Sequence, residues 1–115
     1  MSHTRWIIVS LLILMCFNNC RNYLSLATIP ACIKQEIRKA KRSKNNLKIQ
    51  VWQFKYKGDT VYFISASAAD KMSVLLDCHC NIICRPDGGL TGKGDGHCKD
   101  FFLFRSDEKL IWQSD

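Results

Sequence analysis

The sequence predicts an α+β domain: one N-terminal helix packed on a four- to five-stranded antiparallel sheet, with a disulfide-tied glycine-rich loop. Three observations carry this expectation. A single helical apolar period occurs, at Ile33, Ile37 and Ala40. Apolar stretches of strand length follow at 47–56, 60–66, 74–76, 81–83, 101–104 and 109–113. Residues 78–100 gather four of the seven cysteines, two of the three histidines and five of the six glycines. Such density is structural punctuation, in which no paired reactive groups stand out.

Residues 1–5 are a short positive start, and 6–17 (WIIVSLLILMCF) form an apolar run with no charge until Arg21. This is the outline of a signal peptide. A spanning helix needs about 20 apolar residues, and Asn18, Asn19 and Arg21 end the run before that. Cys20 stands where a bacterial lipoprotein carries its acyl group, so residues 1–20 read as a lipoprotein-type signal with Cys20 lipidated. Ser25, Leu26 and Ala27 offer the alternative, cleavage after 27. Residues 21–29 are then a linker and 30–115 a single small domain. The expected location is the cell envelope, reached through an N-terminal lipid anchor in the membrane, or a secreted or periplasmic state after the alternative cleavage.

Processing leaves about 90 of the 115 residues, a size at which an apolar core alone is marginal. Disulfides are the expected supplement, and seven cysteines in so short a chain suit an oxidising compartment. The formal charge of +7 falls to +5 without residues 1–27, with fifteen basic residues against ten acidic. Much of the excess is local: Lys34, Arg38, Lys39, Lys41, Arg42, Lys44 and Lys48 stand against Glu36 alone. Such a run is a solvated helix face or meets an anionic membrane surface. Nucleic acid is not the expected partner, because no aromatic residue interleaves with the charges and the chain is exported.

Along the chain, Pro30 suits the first turn of a helix, where its missing N–H is not needed, and the basic residues from Lys39 on suit the negative end of the helix dipole. In 47–56, Leu47, Ile49 and Val51 share one parity and Trp52, Phe54 and Tyr56 the other, a switch that predicts a β-bulge at Val51 and Trp52. Lys57, Gly58 and Asp59 turn the chain into the strand at 60–66. A second hairpin joins 74–76 to 81–83, and 101–104 and 109–113 close the sheet. Trp52, Phe54, Tyr56, Tyr62 and Phe63 either fill the core or display a face for a protein, peptide or glycan ligand.

Residues 83–98 read as IC-x-PDGG-x-TGKGDG-x-C, with Pro86, Asp87, Gly88, Gly89, Thr91, Gly92, Lys93, Gly94, Asp95 and Gly96 as the loop motif. With the hairpin YKGDTVYF, the run LLDCHCNIIC and the terminal DEKLIW, this resembles an uncharacterised family of small exported or lipid-anchored bacterial proteins of Bacteroidetes type, known as a domain of unknown function. The resemblance covers residues 30–112 and implies export and fold, with no activity. The chain departs from the family pattern of adjacent cysteines before an aspartate, having Ala68 and Ala69 before Asp70, and Cys78 reads as a local replacement.

The domain keeps Cys32, Cys78, Cys80, Cys84 and Cys98, an odd number, so two bridges and one free thiol are expected. Cys78 and Cys80 are too close along the chain to bridge easily. Cys84 with Cys98 closes a loop of about 15 residues, for which the chain-entropy account gives roughly 3 kcal/mol. Cys32 then pairs with Cys78 or Cys80. The competing reading is zinc held by Cys78, Cys80, Cys84, His97 and Cys98, although their spacing matches no common knuckle. Asp87, Asp95 and Asp100 lack the alternation and terminal glutamate of a calcium loop. GGLTGKG lacks the first glycine and the closing Ser or Thr of a phosphate loop. His97 beside Cys98 is the sole candidate for nucleophilic catalysis, and adjacency alone does not align a dyad. The expectation is a non-catalytic binding or structural module without a cofactor, with zinc binding as the alternative.

Overall fold

The computed structural model describes residues 29–43 and 47–115. The signal, the lipidation at Cys20, both cleavage sites and nearly all of the linker lie outside the described residues. A small α+β fold results, with elements α1 (Ala31–Arg42), β1 (Gln50–Tyr56), β2 (Asp59–Ile64), β3 (Val74–Asp77), β4 (Ile82–Cys84), α2 (Phe101–Phe104) and β5 (Ser106–Gln113). Among the described residues, no helix is long and apolar enough to cross a membrane.

α1 starts at Ala31, inside the chain rather than at its N terminus, which corrects the expected placement. The Pro30 carbonyl accepts the N–H groups of Ile33 and Lys34 at 3.0 and 3.1 Å, so the proline seeds the first turn without needing to donate. Ile33 is fully buried, with Cys32 and Ile37 packed around it. Lys39, Lys41 and Arg42 occupy the last turn, beside the exposed carbonyl end.

The sheet runs β4-β3-β2-β1-β5, every neighbouring pair antiparallel. β1 and β2 meet without a break from Val51↔Ile64 to Tyr56↔Asp59. Their two-residue loop holds Lys57 at φ 51° and Gly58 at φ 81°, the doubly left-handed turn whose twist suits a hairpin. The register does shift at Val51 and Trp52, but only in the ladder with β5, where Val51 pairs with Trp112 and Trp52 with Leu110. Ile111 is therefore the inserted residue, and the bulge lies in β5, not β1. The parity switch in β1 has another cause: both sheet faces are covered, each at a different part of the strand.

On one face, Val51, Tyr62 and Leu76 pack under α1 against Ile33. On the other, Phe54, Tyr56, Val61, Phe63 and Leu75 meet Cys84, Cys98 and Phe101. Phe101 packs edge-on to Phe54 and Tyr56 and stacks on Phe63 at 5.7 Å. Residues 101–104 form a helical turn where a strand was expected. An unbroken four-residue apolar run has no period to choose between the two states. The carbonyl of Asp100 takes the N–H groups of Leu103 and Phe104 at 3.1 and 3.0 Å, which closes the turn.

Candidate functional site

The second covering layer is the glycine loop. The structure joins Cys84 to Cys98, both buried, with their Cα atoms 6.1 Å apart, and Cys32 to Cys80 at 5.9 Å. Cys78 is disulfide-bonded as well, so no cysteine among the described residues is the expected free thiol. The first bond ties the loop to the end of β4; the second ties α1 to the turn after β3.

Inside the loop, Asp95 acts as a brace. Its Oδ2 accepts the Arg85 N–H at 2.9 Å and its Oδ1 accepts the His97 N–H at 3.0 Å, while its own N–H donates to the Arg85 carbonyl at 2.9 Å. These bonds, led by that from His97, hold the Asp95 carboxyl below its ordinary range. Ser73, fully buried, fastens the outer flank: its Oγ accepts the Asp87 N–H at 3.1 Å, and its N–H donates to the Asp87 carbonyl at 3.0 Å. Two glycines are demanded by close approach. A Cβ at Gly94 would stand 1.9 Å from the Arg85 carbonyl oxygen, and one at Gly88 would stand 2.4 Å from that of Lys71.

All ten residues of the predicted motif thus belong to one tied lobe, whose tip is open to solvent at Leu90, 96% exposed. The lobe also borders an open depression of about 600 Å³ whose lining includes Asp87, Lys93, Gly94, Asp95, Lys99 and Phe102. Phe102 is 40% exposed, and the next two residues of α2 stand out further, Leu103 at 80% and Phe104 at 66%. The Arg105 guanidinium sits 5.0 Å from the ring centres of both Phe54 and Phe102, a cation shared by a core ring and the ring that lines the depression.

At the foot of α2, the Tyr56 hydroxyl donates to Asp100 Oδ1 at 2.5 Å, and Lys57 Nζ lies 3.7 Å from Oδ2. The Tyr56 hydrogen bond holds the Asp100 carboxyl below its ordinary range, while burial, then Asp100, pushes the Tyr56 phenol up.

The strand aromatics belong to the core: Phe54, Tyr56, Tyr62 and Phe63 are buried, leaving Trp52 half-buried at the edge. The displayed aromatics are those of α2 instead. The alternative zinc set does not assemble. Cys80, Cys84 and Cys98 are in disulfides, Cys78 is oxidised too, and His97 is exposed with its Nδ1 3.6 Å from Asp95. A disulfide sulfur is not the thiolate that zinc requires. Among the described residues, no three His, Cys, Asp or Glu side chains converge on one point. The same bond removes Cys98 as a nucleophile for His97.

Arg105 and Phe102 were not read from the sequence as part of a site. The signal available was the FFLF run between Asp100 and Arg105, too apolar for a solvent-facing strand and bounded by charges at both ends.

Residues 35–114 match a protein family described as a domain of unknown function (DUF6970). No curated protein and no solved structure matches the chain.

Proposed function

The chain belongs to the DUF6970 family, whose description carries no activity, and from the site itself we propose an exported, lipid-anchored, non-catalytic binding module that takes a glycan at the glycine-loop depression. The observation that carries this reading is a rigid loop opening to solvent beside an exposed aromatic. The Cys84–Cys98 bond and the Asp95 brace order the loop before any ligand arrives, which lowers the entropy cost of binding. A sugar hydroxyl both donates and accepts. Asp87 offers an acceptor, Lys93 and Lys99 offer donors, and Phe102 offers an apolar edge for a pyranose ring. Two lysines offset two aspartates along the lining, an arrangement that disfavours a highly charged ligand.

Disulfides among the described residues suggest an oxidising, extracellular location. The apolar run at 6–17 followed by Cys20 supports export and anchoring in the envelope, as does the resemblance to exported or lipid-anchored proteins of Bacteroidetes type. Non-catalytic action is supported by the structural employment of the reactive groups: Asp95 braces the loop, Asp100 receives Tyr56, and Cys98 is bonded.

The test is an NMR titration of the isotope-labelled, oxidised protein with neutral oligosaccharides and with peptides of matched length. Oligosaccharides are expected to shift the amides of residues 92–96 and the Phe102 ring, and Phe102→Ala should weaken that response. Shifts confined to other surfaces, or a response to peptides alone, would sink the glycan reading.

A further inference from the structure

We propose that the outward face of α1 binds anionic lipid headgroups, turning the glycine-loop depression away from the membrane. The lipid contact stands on the helix itself; only the orientation rests on the anchored reading above.

Charge is segregated in this fold. α1 carries Lys34, Arg38, Lys39, Lys41 and Arg42 against Glu36, whereas residues 47–115 carry nine basic and nine acidic residues. The net positive charge of the described residues therefore belongs to one helix. All five cations are exposed, and among the described residues Glu36 pairs with Lys39, at 2.9 Å. Lys34, Arg38 and Lys41 recur at i, i+4 and i+7, an exposed row about 10 Å long that flanks the buried side marked by Ile33. A straight, exposed row of cations suits a planar array of phosphates, and no aromatic residue lies in α1 to stack on nucleic acid bases.

The chain enters α1 directly from the segment that holds the apolar run and Cys20. A linker over residues 21–29 spans at most about 30 Å, so an anchor at Cys20 keeps α1 within that distance of the headgroups. The helix covers one face of the sheet, and the glycine loop with α2 covers the other. With α1 on the membrane, the depression faces outward.

Each basic residue near an anionic surface strengthens partition about fivefold at low salt. The full chain, as isolated, is sedimented with vesicles of phosphatidylcholine alone and of phosphatidylcholine mixed equally with phosphatidylglycerol. The readout is the ratio of the two partition coefficients, in which an acyl group or apolar N-terminal run cancels. The triple variant K34Q/R38Q/K41Q is expected to lower that ratio roughly a hundredfold, and K57Q/K71Q/K109Q, with equal charge loss outside α1, by less than about fivefold. Equal losses in the two variants would overturn the assignment, as would a wild-type ratio near one or tighter binding to duplex DNA than to the mixed vesicles. The intact mass of the same sample reports anchoring separately. An unacylated chain starting at Thr28 with an α1-dependent ratio would end the anchored reading and leave the lipid contact in place.

Discussion

Replacing Gly94 by alanine should destabilise the protein by about 3–4 kcal/mol, and the matching change at Gly92 by only about 1 kcal/mol. Both glycines lie in the left-handed region, at φ 66° and 73°, so both alanines carry the same conformational cost. They differ in what the new methyl meets. At Gly92 no atom lies within 4 Å. At Gly94 the methyl would stand 1.9 Å from the Arg85 oxygen, 2.7 Å from the Pro86 carbonyl carbon and 2.8 Å from the Asp87 nitrogen, all backbone atoms that cannot swing aside. Relief needs a backbone shift of more than an ångström. That shift breaks the bonds from Asp95 N–H to Arg85 and from Gly94 N–H to Gly88, now 2.9 and 3.0 Å. Each is worth about 1 kcal/mol net, which sets the excess over Gly92→Ala. Urea unfolding of the oxidised proteins, followed by tryptophan fluorescence, measures the difference. Coincident midpoints for the two variants would refute the close-packing account of the loop.

Three further outcomes are expected. The double change Cys84→Ser, Cys98→Ser, which opens a bond across a sequence separation of 14, should cost about 3 kcal/mol in non-reducing urea unfolding. A loss under about 1 kcal/mol would mean that the unfolded chain already confines the loop. Phe101→Ala, at a site with no exposure and four aromatic neighbours, should cost about 3–5 kcal/mol by the same assay. Acid should weaken the fold through Asp95 and Asp100. Both carboxyls are held below their ordinary value in the folded state, so their contribution is complete above that value and lost as pH falls through the lower folded one. The double variant Asp95→Asn, Asp100→Asn should show a flatter midpoint-against-pH curve than the parent below about pH 4, and parallel curves would remove both carboxylates from the account.

How far the fold can be read from residues depends on whether a period survives. α1 is legible because only one of its faces is buried, so Ile33, Ile37 and Ala40 mark it. The β1–β2 hairpin is legible from Lys57 and Gly58, which the turn requires in left-handed backbone. β1 itself misleads, because a strand covered on both faces carries apolar residues of both parities and imitates a bulge. Phe101, Phe102, Leu103 and Phe104 mislead for a related reason: one faces the core and the others face out, which no alternation signals. In the site, the glycines and the Cys84–Cys98 spacing announce a tied loop. The depression is not announced, because its wall joins the glycine loop to Phe102, a residue beyond the Cys84–Cys98 loop that lies in an apolar run with no period.

The two disulfides of known partners also explain how so small a sheet holds a layer on each face. Both act at the same edge. β4 has three residues and meets β3 only through Leu75↔Cys84 and Leu76↔Ile82, with a register shift between them. So few ladder bonds cannot anchor a helix on one side and a long loop on the other. Cys32–Cys80 and Cys84–Cys98 supply that attachment covalently, one for each layer. The opposite edge is treated differently. β5 is eight residues long, shifts register twice against β1, and carries Asp107, Glu108 and Lys109 in sequence, features that deter pairing with another strand. The covalent edge therefore carries the glycine loop, and any strain on that loop is resisted by a sulfur bond into β4 rather than by the marginal strand pairing alone.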